Sequence, residues 1–361
     1  MKGEKTMKRR IAKLALGVSC IDLAGAAHAQ SSVTLYGIVD AGIEYLNHTG
    51  GGRGTAHFVP GAKNVSRWGV RGVEDLGGGL KAVFQLENGF DIANGAFDGG
   101  EGVLFDRRAT IGVKNRFGQL ILGRTFTVTF DYMLPFDPMG YAGNYSWGIS
   151  TTAPRGRRDG LLARSSNAVR YDGEFAGVKI GGLYGFGNVP GSVKTSSRYN
   201  IALGYGKGPF ATIVTFDRQN GARNSVTPAD SIHYIQGIHA GLSYDFGAAK
   251  VMAGYRNHRR SVTTAAAALR SATYWFGGSC DVTPILSLIG AVYHQNIKGG
   301  SNADPTLFSL RGQYALSKQT LLYLAGGYVM AKHGQQISLS RDLTAAADNQ
   351  AGVTAGVQHR F

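Results

Sequence analysis

Apolar and polar residues alternate through most of this chain, and this two-residue period constrains its fold more than any other feature. From Leu80 to Glu87, Leu, Ala, Phe and Leu alternate with Lys, Val, Gln and Glu. Successive side chains of a β-strand point to opposite faces, so the pattern predicts two-sided strands. It recurs at 34–43, 178–186, 200–205, 210–216, 240–246, 251–255, 272–276, 286–293, 307–314, 321–329 and 353–361. The chain is therefore predicted to be all-β.

The connections between these segments alternate between short and long. Short turns are predicted at 77–79, 115–118, 176–177, 206–208, 246–248, 283–284 and 317–318. Long polar loops are predicted at 48–62, 92–103, 126–163, 188–197, 219–231, 257–269, 298–305 and 331–349. Eight long loops and seven short turns connect sixteen antiparallel strands, with the long loops outside the cell and the short turns in the periplasm.

The apolar content is compatible with a membrane protein of only one kind. Hydrophobic residues make up 43% of the chain, yet beyond the N-terminal leader no run of 18 apolar residues occurs, which excludes membrane-spanning helices. Strands that cross a bilayer must close into a barrel, because an open sheet edge leaves backbone groups without hydrogen bonds in hydrocarbon. The predicted fold is a closed 16-stranded antiparallel transmembrane β-barrel.

The N-terminus has the pattern of an export signal. Five basic residues occur within residues 1–10, a mainly apolar run covers 11–27, and Ala27-His28-Ala29 supplies a small-x-small cleavage site. We predict a cleavable signal peptide at 1–29 and the barrel at 30–361. A retained helix is the alternative, but Lys13 and Asp22 interrupt the run. Met7 is an alternative start.

The chain is basic, with a formal net charge of +15. Removing residues 1–29 takes away six basic and two acidic residues and leaves +11. The charges are scattered, and no basic helix with interleaved aromatic residues indicates a nucleic-acid surface. Cys280 alone remains after the leader, so no internal disulfide is predicted. No nucleophile motif, phosphate loop or metal-ligating histidine pair indicates an enzyme, a cofactor or a metal.

Several motifs, in order along the chain, resemble the trimeric general porins of the Gram-negative outer membrane, especially the betaproteobacterial branch. They are Ser31–Gly37 (SSVTLYG), Ser66–Gly72 (SRWGVRG), Glu74–Ala82 (EDLGGGLKA) and the C-terminal His359-Arg360-Phe361. The resemblance implies a homotrimer, passive passage of ions and small hydrophilic solutes, and a third external loop folded inward to narrow the pore. It also implies that Phe361 is the signal for the barrel assembly machinery.

The resemblance implies that basic residues form one side of the pore constriction. Arg67 stands at the arginine of the family's S-R-x-G pattern, Arg107 resembles a second pore-wall arginine and Arg164 a third. Alternation places Arg71 on the face of Arg67 and Lys81 on the polar face of its strand, so both are added to this basic wall.

The third loop would be 126–163, and its segment Asp131–Asp137 resembles the family's inward-folding segment. Asp131 and Asp137 are the predicted acidic side of the constriction. Phe136-Asp137-Pro138-Met139-Gly140 replaces the family's acidic-aromatic-Gly-Gly tip. Arg108 and Thr110 are expected on the outward face, where Arg108 would pair across subunits or cost about 2–4 kcal/mol in mid-bilayer.

A constriction of this kind works through its radius and its electric field. Arginines that face loop carboxylates create a transverse field, and arginine stays ionised when crowded. We expect a weak anion preference, to which Arg155, Arg157 and Arg158 would add unless they form a solvated surface or a site for lipopolysaccharide phosphates. The alternatives are a substrate-specific channel with aromatic rails, from Tyr132, Phe136, Tyr141, Tyr145 and Trp147, or a non-conducting structural or adhesive barrel.

Overall fold

The computed structural model describes residues 32–98, 102–150, 159–221, 232–262, 268–298, 303–339 and 345–361. The predicted signal peptide at 1–29 and Arg155, Arg157 and Arg158 lie outside the described residues. Across the described ranges, no helix combines the length and the apolar character needed to cross a bilayer.

The described residues form seventeen β-strand segments and three short helices. The helices are α1 (Val128–Met133) and two 3₁₀ turns, Gly50–Gly52 and Leu134–Phe136. The strands are β1 (Ser32–Leu46), β2 (Thr55–Pro60), β3 (Arg67–Gly77), β4 (Leu80–Gly89), β5 (Arg108–Asn115), β6 (Gly118–Phe126), β7 (Arg164–Phe175), β8 (Val178–Gly185), β9 (Arg198–Lys207), β10 (Phe210–Asn220), β11 (Ile232–Asp245), β12 (Ala249–Val262), β13 (Leu269–Thr283), β14 (Leu286–Lys298), β15 (Thr306–Ala315), β16 (Thr320–Met330) and β17 (Asn349–Arg360).

The strands close into a barrel through antiparallel pairing of the two ends of the chain. β1 pairs with β17 from Ile38 opposite Arg360 to Leu46 opposite Gly352. On its other side β1 pairs with both β2 and β3, so these two segments are parts of one interrupted barrel strand. The predicted 16-stranded closed antiparallel barrel is confirmed.

Two predicted loops are shorter than expected because strands extend into them. Thr55–Pro60 falls within the predicted loop 48–62, but it pairs with β1 and continues the second barrel strand outward. The loop 257–269 was also too long, because β12 runs to Val262 and β13 begins at Leu269. In both places polar residues on long strand extensions resemble loop sequence.

The two faces of the barrel wall differ in polarity as alternation requires. On β1, Val33, Leu35 and Ile43 are exposed on the outside, while Asp40 and Glu44 are fully buried on the inside. Exposed apolar side chains on the outer face recur around the barrel and form the belt that contacts lipid. Residues 127–163 are called loop 3. The main hydrophobic cluster lies inside the barrel, where the described parts of loop 3, 127–150 and 159–163, pack on inward-facing wall residues.

Candidate pore constriction

Strand register places two of the predicted arginines on the inner face of the barrel. Arg67 lies opposite Ile38, and Arg71 lies opposite Thr34, both of which point inward with Tyr36. The Arg71 guanidinium lies 5.4 Å from the centre of the Tyr36 ring. Directly opposed residues of an antiparallel pair share a face, so the basic wall at this point follows from the β1–β3 register.

Lys81 and Arg107 reach the same part of the lumen from β4 and from the turn before β5. Lys81 shares the inner face of β4 with Gln85 and Glu87. The Arg107 Nε donates a hydrogen bond of 2.7 Å to Glu87, and both side chains are nearly buried. Tyr36 donates to the other carboxylate oxygen of Glu87 at 2.9 Å. Glu87 therefore holds Arg107 against the wall.

Arg67, Arg71, Lys81 and Arg107 line one cavity of about 870 Å³ between the wall and loop 3. Eight of its lining side chains are Arg or Lys and three are Asp or Glu. It shares Lys114, Arg116 and Asp131 with a second cavity of about 700 Å³ toward the short-turn end. The lumen on this side of loop 3 is therefore strongly basic.

The three acidic side chains of the larger cavity are all engaged by arginines. Glu87 pairs with Arg107, Asp131 with Arg108 and Arg170, and Asp172 with Arg170. Five cations remain that lie within ion-pair distance of no carboxylate in the described part of the chain. They are Arg67, Arg71, Lys81, Lys114 and Arg116.

Arg164 lies close to this cavity without lining it. Its guanidinium is 3.6 Å from Asp106 and 3.9 Å from Asp98. It also lies 5.1 Å from the centre of the Phe126 ring, which Arg107 and Arg108 approach at 5.0 and 4.8 Å. Phe126 therefore brings three arginines together where the chain leaves β6, but the charge of Arg164 is partly balanced by two aspartates.

The expected outward orientation of Arg108 and Thr110 is wrong. Ile111 and Val113 are exposed on the outer face of β5, so Arg108 and Thr110 point into the lumen, where both line the large cavity. β5 begins at Arg108, and alternation therefore does not extend back to Arg107 in the preceding turn. Arg108 neither faces lipid nor needs a partner subunit to balance its charge.

Asp131 lies on α1 and faces the basic side of the lumen. Both of its carboxylate oxygens accept hydrogen bonds of 3.1 Å from Arg108, and one accepts a bond of 2.6 Å from Arg170. The Thr127 hydroxyl caps α1 by accepting from the Phe130 N–H at 3.1 Å. The helix therefore presents a carboxylate to two wall arginines, and a quarter of that side chain remains exposed.

Asp137 does not face the lumen, which corrects its expected place on the acidic side of the constriction. It is 3% exposed and accepts hydrogen bonds from the Tyr141 N–H, the Ser146 hydroxyl and the Tyr293 hydroxyl. Burial raises the pKa of Asp137, and these three donors oppose that rise. The side chain fastens loop 3 to β14.

A second fastening, absent from the sequence predictions, joins the middle and the returning end of loop 3 to β12. The fully buried Arg256 donates 2.8 Å hydrogen bonds to the carbonyls of Trp147 and Gly148 and a 2.7 Å bond to Asp159. Asp159 also accepts from Ser271 at 2.6 Å. Burial acts to raise the pKa of Asp159, but Arg256 prevails and lowers it to about 2.

A third fastening lies on the opposite wall. Glu44 of β1 accepts hydrogen bonds from Asn144 (2.9 and 3.0 Å), Tyr145 (3.1 Å) and Thr354 (2.9 Å). Phe136, Tyr145 and Trp147 are buried against the wall, so three of the five aromatic candidates for a substrate rail are packing residues. Sequence reasoning missed Glu44 as an attachment point. Its one signal in the sequence is its position on the polar face of an alternating strand, which predicts that it points inward.

Phe361 ends the chain at the junction that closes the barrel. Its N–H and C=O exchange hydrogen bonds with Gly37 at 3.1 and 2.9 Å. A Cβ at Gly37 would lie 2.3 Å from the Phe361 ring and 2.8 Å from the Arg67 carbonyl oxygen. Glycine is therefore required for the aromatic ring to approach β1 this closely.

Sixteen strands closed around a charged interior, with an apolar outer belt, define a transmembrane β-barrel channel. A family model described as Gram-negative porin matches residues 14–334, and the chain belongs to this family. The chain is thus an outer-membrane porin, integral to that membrane, and its relatives are channels rather than enzymes.

Curated relatives match almost end to end. An outer membrane porin protein of Bordetella pertussis is 29% identical over 94% of this chain and 96% of its own length. Outer membrane porin protein 32 of Delftia acidovorans is 29% identical over 97% and 99%. The solved anion-selective porin from Comamonas acidovorans has a TM-score of 0.78 at 24% identity, covering 92% of this chain and all of that one. It is similar in fold.

Proposed function

We propose that this porin passes ions and small hydrophilic solutes passively and prefers anions, with Arg67, Arg71, Lys81 and Arg107 as the selective wall. The observation that carries the proposal is the charge of the large cavity, where five cations have no described carboxylate partner. Loop 3 supplies the opposite side through Asp131. Passage needs no covalent step, and we propose no catalytic role, cofactor or metal.

The size of the preference follows from elementary electrostatics. A unit charge attracts an anion 4 Å away by about 1 kcal/mol in bulk water and by more beside a low-dielectric wall. Mobile salt screens such fields over about 8 Å at physiological ionic strength. The preference for anions is therefore expected to be moderate, to decline as salt rises and to fall when wall cations are removed.

We also propose a homotrimer assembled by the barrel insertion machinery, with Phe361 as its recognition signal, after cleavage of residues 1–29. The resemblance to trimeric porins supports the oligomer, as does the fold shared with OmpT of Vibrio cholerae, solved in a trimer form (TM-score 0.67, 18% identity). The exchange of backbone hydrogen bonds between Phe361 and Gly37 supports a role of the last residue in barrel closure.

The test is the reversal potential of the refolded protein in a planar bilayer under a KCl gradient. The wild type should show an anion-selective potential that R67Q/R71Q/K81Q reduces or reverses. A matched control, R259Q/R270Q/K298Q, removes the same charge from residues on the outer face of the barrel and should leave the potential unchanged. Strong cation selectivity of the wild type would refute the proposal, and a folded barrel without conductance would indicate a structural or adhesive role.

A further inference from the structure

A row of basic residues crosses the outer face of the barrel at the end that carries the long loops. The pairing register sets Arg218 opposite Gln236, Gln236 opposite Arg259, Arg259 opposite Arg270 and Arg270 opposite Lys298. These residues stand on five consecutive strands, β10 to β14. Neighbouring strands lie about 4.8 Å apart, so the row extends for roughly 19 Å. We call Arg218, Arg259, Arg270 and Lys298 the rim row.

Alternation places the rim row on the lipid side of the wall. On β13, Tyr274 and Phe276 are exposed outward and share the face of Arg270, whereas Trp275 is buried inside. On β14, Leu288 is exposed outward and shares the face of Lys298. The rim row is therefore separate from the basic wall of the pore.

The height of the rim row corresponds to the headgroup region of the outer leaflet. Tyr274 pairs directly with Tyr255, and their rings lie 5.2 Å apart in tilted contact. Tyrosines on a barrel's outer face mark the border of the hydrocarbon. Arg270 precedes Tyr274 by four residues and so lies about 13 Å along the strand toward the long loops. The guanidinium groups thus lie beyond the apolar belt, where lipid headgroups begin.

The rim row carries an electrostatic cost within the protein itself. Like charges directly opposite each other on neighbouring strands are destabilising, and Arg270 has Arg259 on one side and Lys298 on the other. No residue of the rim row makes an ion pair with a carboxylate in the described ranges of the chain. An external anion that bridges these side chains would remove the repulsion.

Two of the arginines are already oriented. The Arg218 and Arg259 guanidinium groups lie 4.3 and 5.5 Å from the centre of the Tyr234 ring. Arg218 also donates 3.0 Å hydrogen bonds to Asn220 and Gln236. Side chains held in this way lose little conformational freedom on binding, and the planar guanidinium matches the oxygens of a phosphate group.

We propose that the rim row binds the phosphate groups of lipopolysaccharide in the outer leaflet. The linear arrangement along the membrane plane fits headgroups that lie side by side, and the apolar and aromatic surface below it contacts the acyl chains. Lipopolysaccharide is the phosphorylated lipid that the outer face of this membrane presents to a porin. The inference rests on the outer-membrane location and not on ion selectivity.

The test is binding of lipopolysaccharide to the refolded, detergent-solubilised porin, followed by native mass spectrometry and by titration with fluorescently labelled lipopolysaccharide. The variant R259Q/R270Q/K298Q should weaken binding roughly a hundredfold, because each basic residue near an anionic surface contributes about a factor of five. The control R67Q/R71Q/K81Q carries the same charge change in the lumen and should bind as the wild type does. Single-channel conductance of both variants verifies that the barrel is folded.

Lipopolysaccharide from which the phosphates have been removed should bind the wild type as weakly as the intact lipid binds the variant. Equal binding of the intact and dephosphorylated lipid would overturn the proposal. So would unchanged binding by R259Q/R270Q/K298Q, or competition by millimolar inorganic phosphate that abolishes binding, since the row would then be a site for free phosphate. Loss of the oligomer in the variant, with lipid binding intact, would assign the row to a second copy of the chain and refute it as well.

Discussion

Replacing Asp159 by Asn should release the returning end of loop 3 from the barrel wall. The substitution removes the counter-ion of Arg256, which is fully buried and keeps only neutral acceptors, among them the carbonyls of Trp147 and Gly148 and the Thr273 hydroxyl. Breaking a buried ion pair by removing one partner costs 3–5 kcal/mol. Because the two carbonyls persist, we take about 3 kcal/mol, which raises the population of the detached state by roughly a hundredfold.

Trypsin measures this population, because Arg155, Arg157 and Arg158 immediately precede Asp159 in the sequence. When opening and closing are fast, the rate of cleavage tracks the fraction of open molecules. D159N should therefore be cut in this segment about a hundred times faster than the wild type. Ser271→Ala removes one hydrogen bond to the Asp159 carboxylate, worth about 1.5 kcal/mol, and should accelerate cleavage only about tenfold.

The double variant D159N/R256M supplies the decisive comparison. Replacing a buried ion pair by uncharged residues of similar volume is often nearly neutral, so adding R256M to D159N should restore much of the resistance to trypsin. Equal cleavage rates for D159N and the wild type would refute the assignment of this pair as an anchor. Additive effects of the two substitutions would refute the electrostatic explanation for it.

Three further predictions concern the closure of the barrel, the attachment of loop 3 at low pH and the charge of the lumen. Gly37→Ala should place a Cβ against the Phe361 ring and lower stability by about 1–3 kcal/mol, measured as a lower temperature of heat-induced unfolding in detergent. The pKa of Asp159 is lowered to about 2, so its stabilising effect should be fully present above about pH 4, near the ordinary pKa of an aspartate, and should be lost as the pH falls toward 2. Open-channel noise recorded from pH 6 to pH 2 should therefore rise only at the acid end. Asp131→Asn should free the charge of Arg108 and increase anion selectivity in the reversal-potential assay, and an unchanged potential would contradict the proposed field.

The barrel could be predicted from the sequence because its main determinant is local. The family resemblance indicates Arg67 as a pore-wall residue, and alternation, which assigns each side chain to a face within one strand, adds Arg71 and Lys81 without knowledge of their neighbours. The same reasoning failed at Arg108, because the pattern was extended through a turn that is not part of β5. The two-residue alternation therefore assigns side chains to faces reliably only within a continuous strand.

The attachments of loop 3 could not be predicted because their partners are distant in sequence. Asp137 meets Tyr293, 156 residues later, and Asp159 meets Arg256, 97 residues later. An aspartate in a polar loop is predicted to be a solvated charge. It is buried only because that loop packs on the inner wall of the barrel. Whether such a carboxylate faces the lumen or a tyrosine therefore depends on the tertiary packing and not on the local sequence.

Loop 3 connects sectors of the wall that lie far apart around the barrel. It is hydrogen-bonded to Glu44 of β1, Arg170 of β7, Arg256 of β12 and Arg311 of β15. Such a connection acts as a brace across a hollow cylinder and resists flattening of its cross-section. We therefore expect the opening to keep its shape when lateral pressure or bilayer thickness changes, which makes the loop a mechanical element of the barrel.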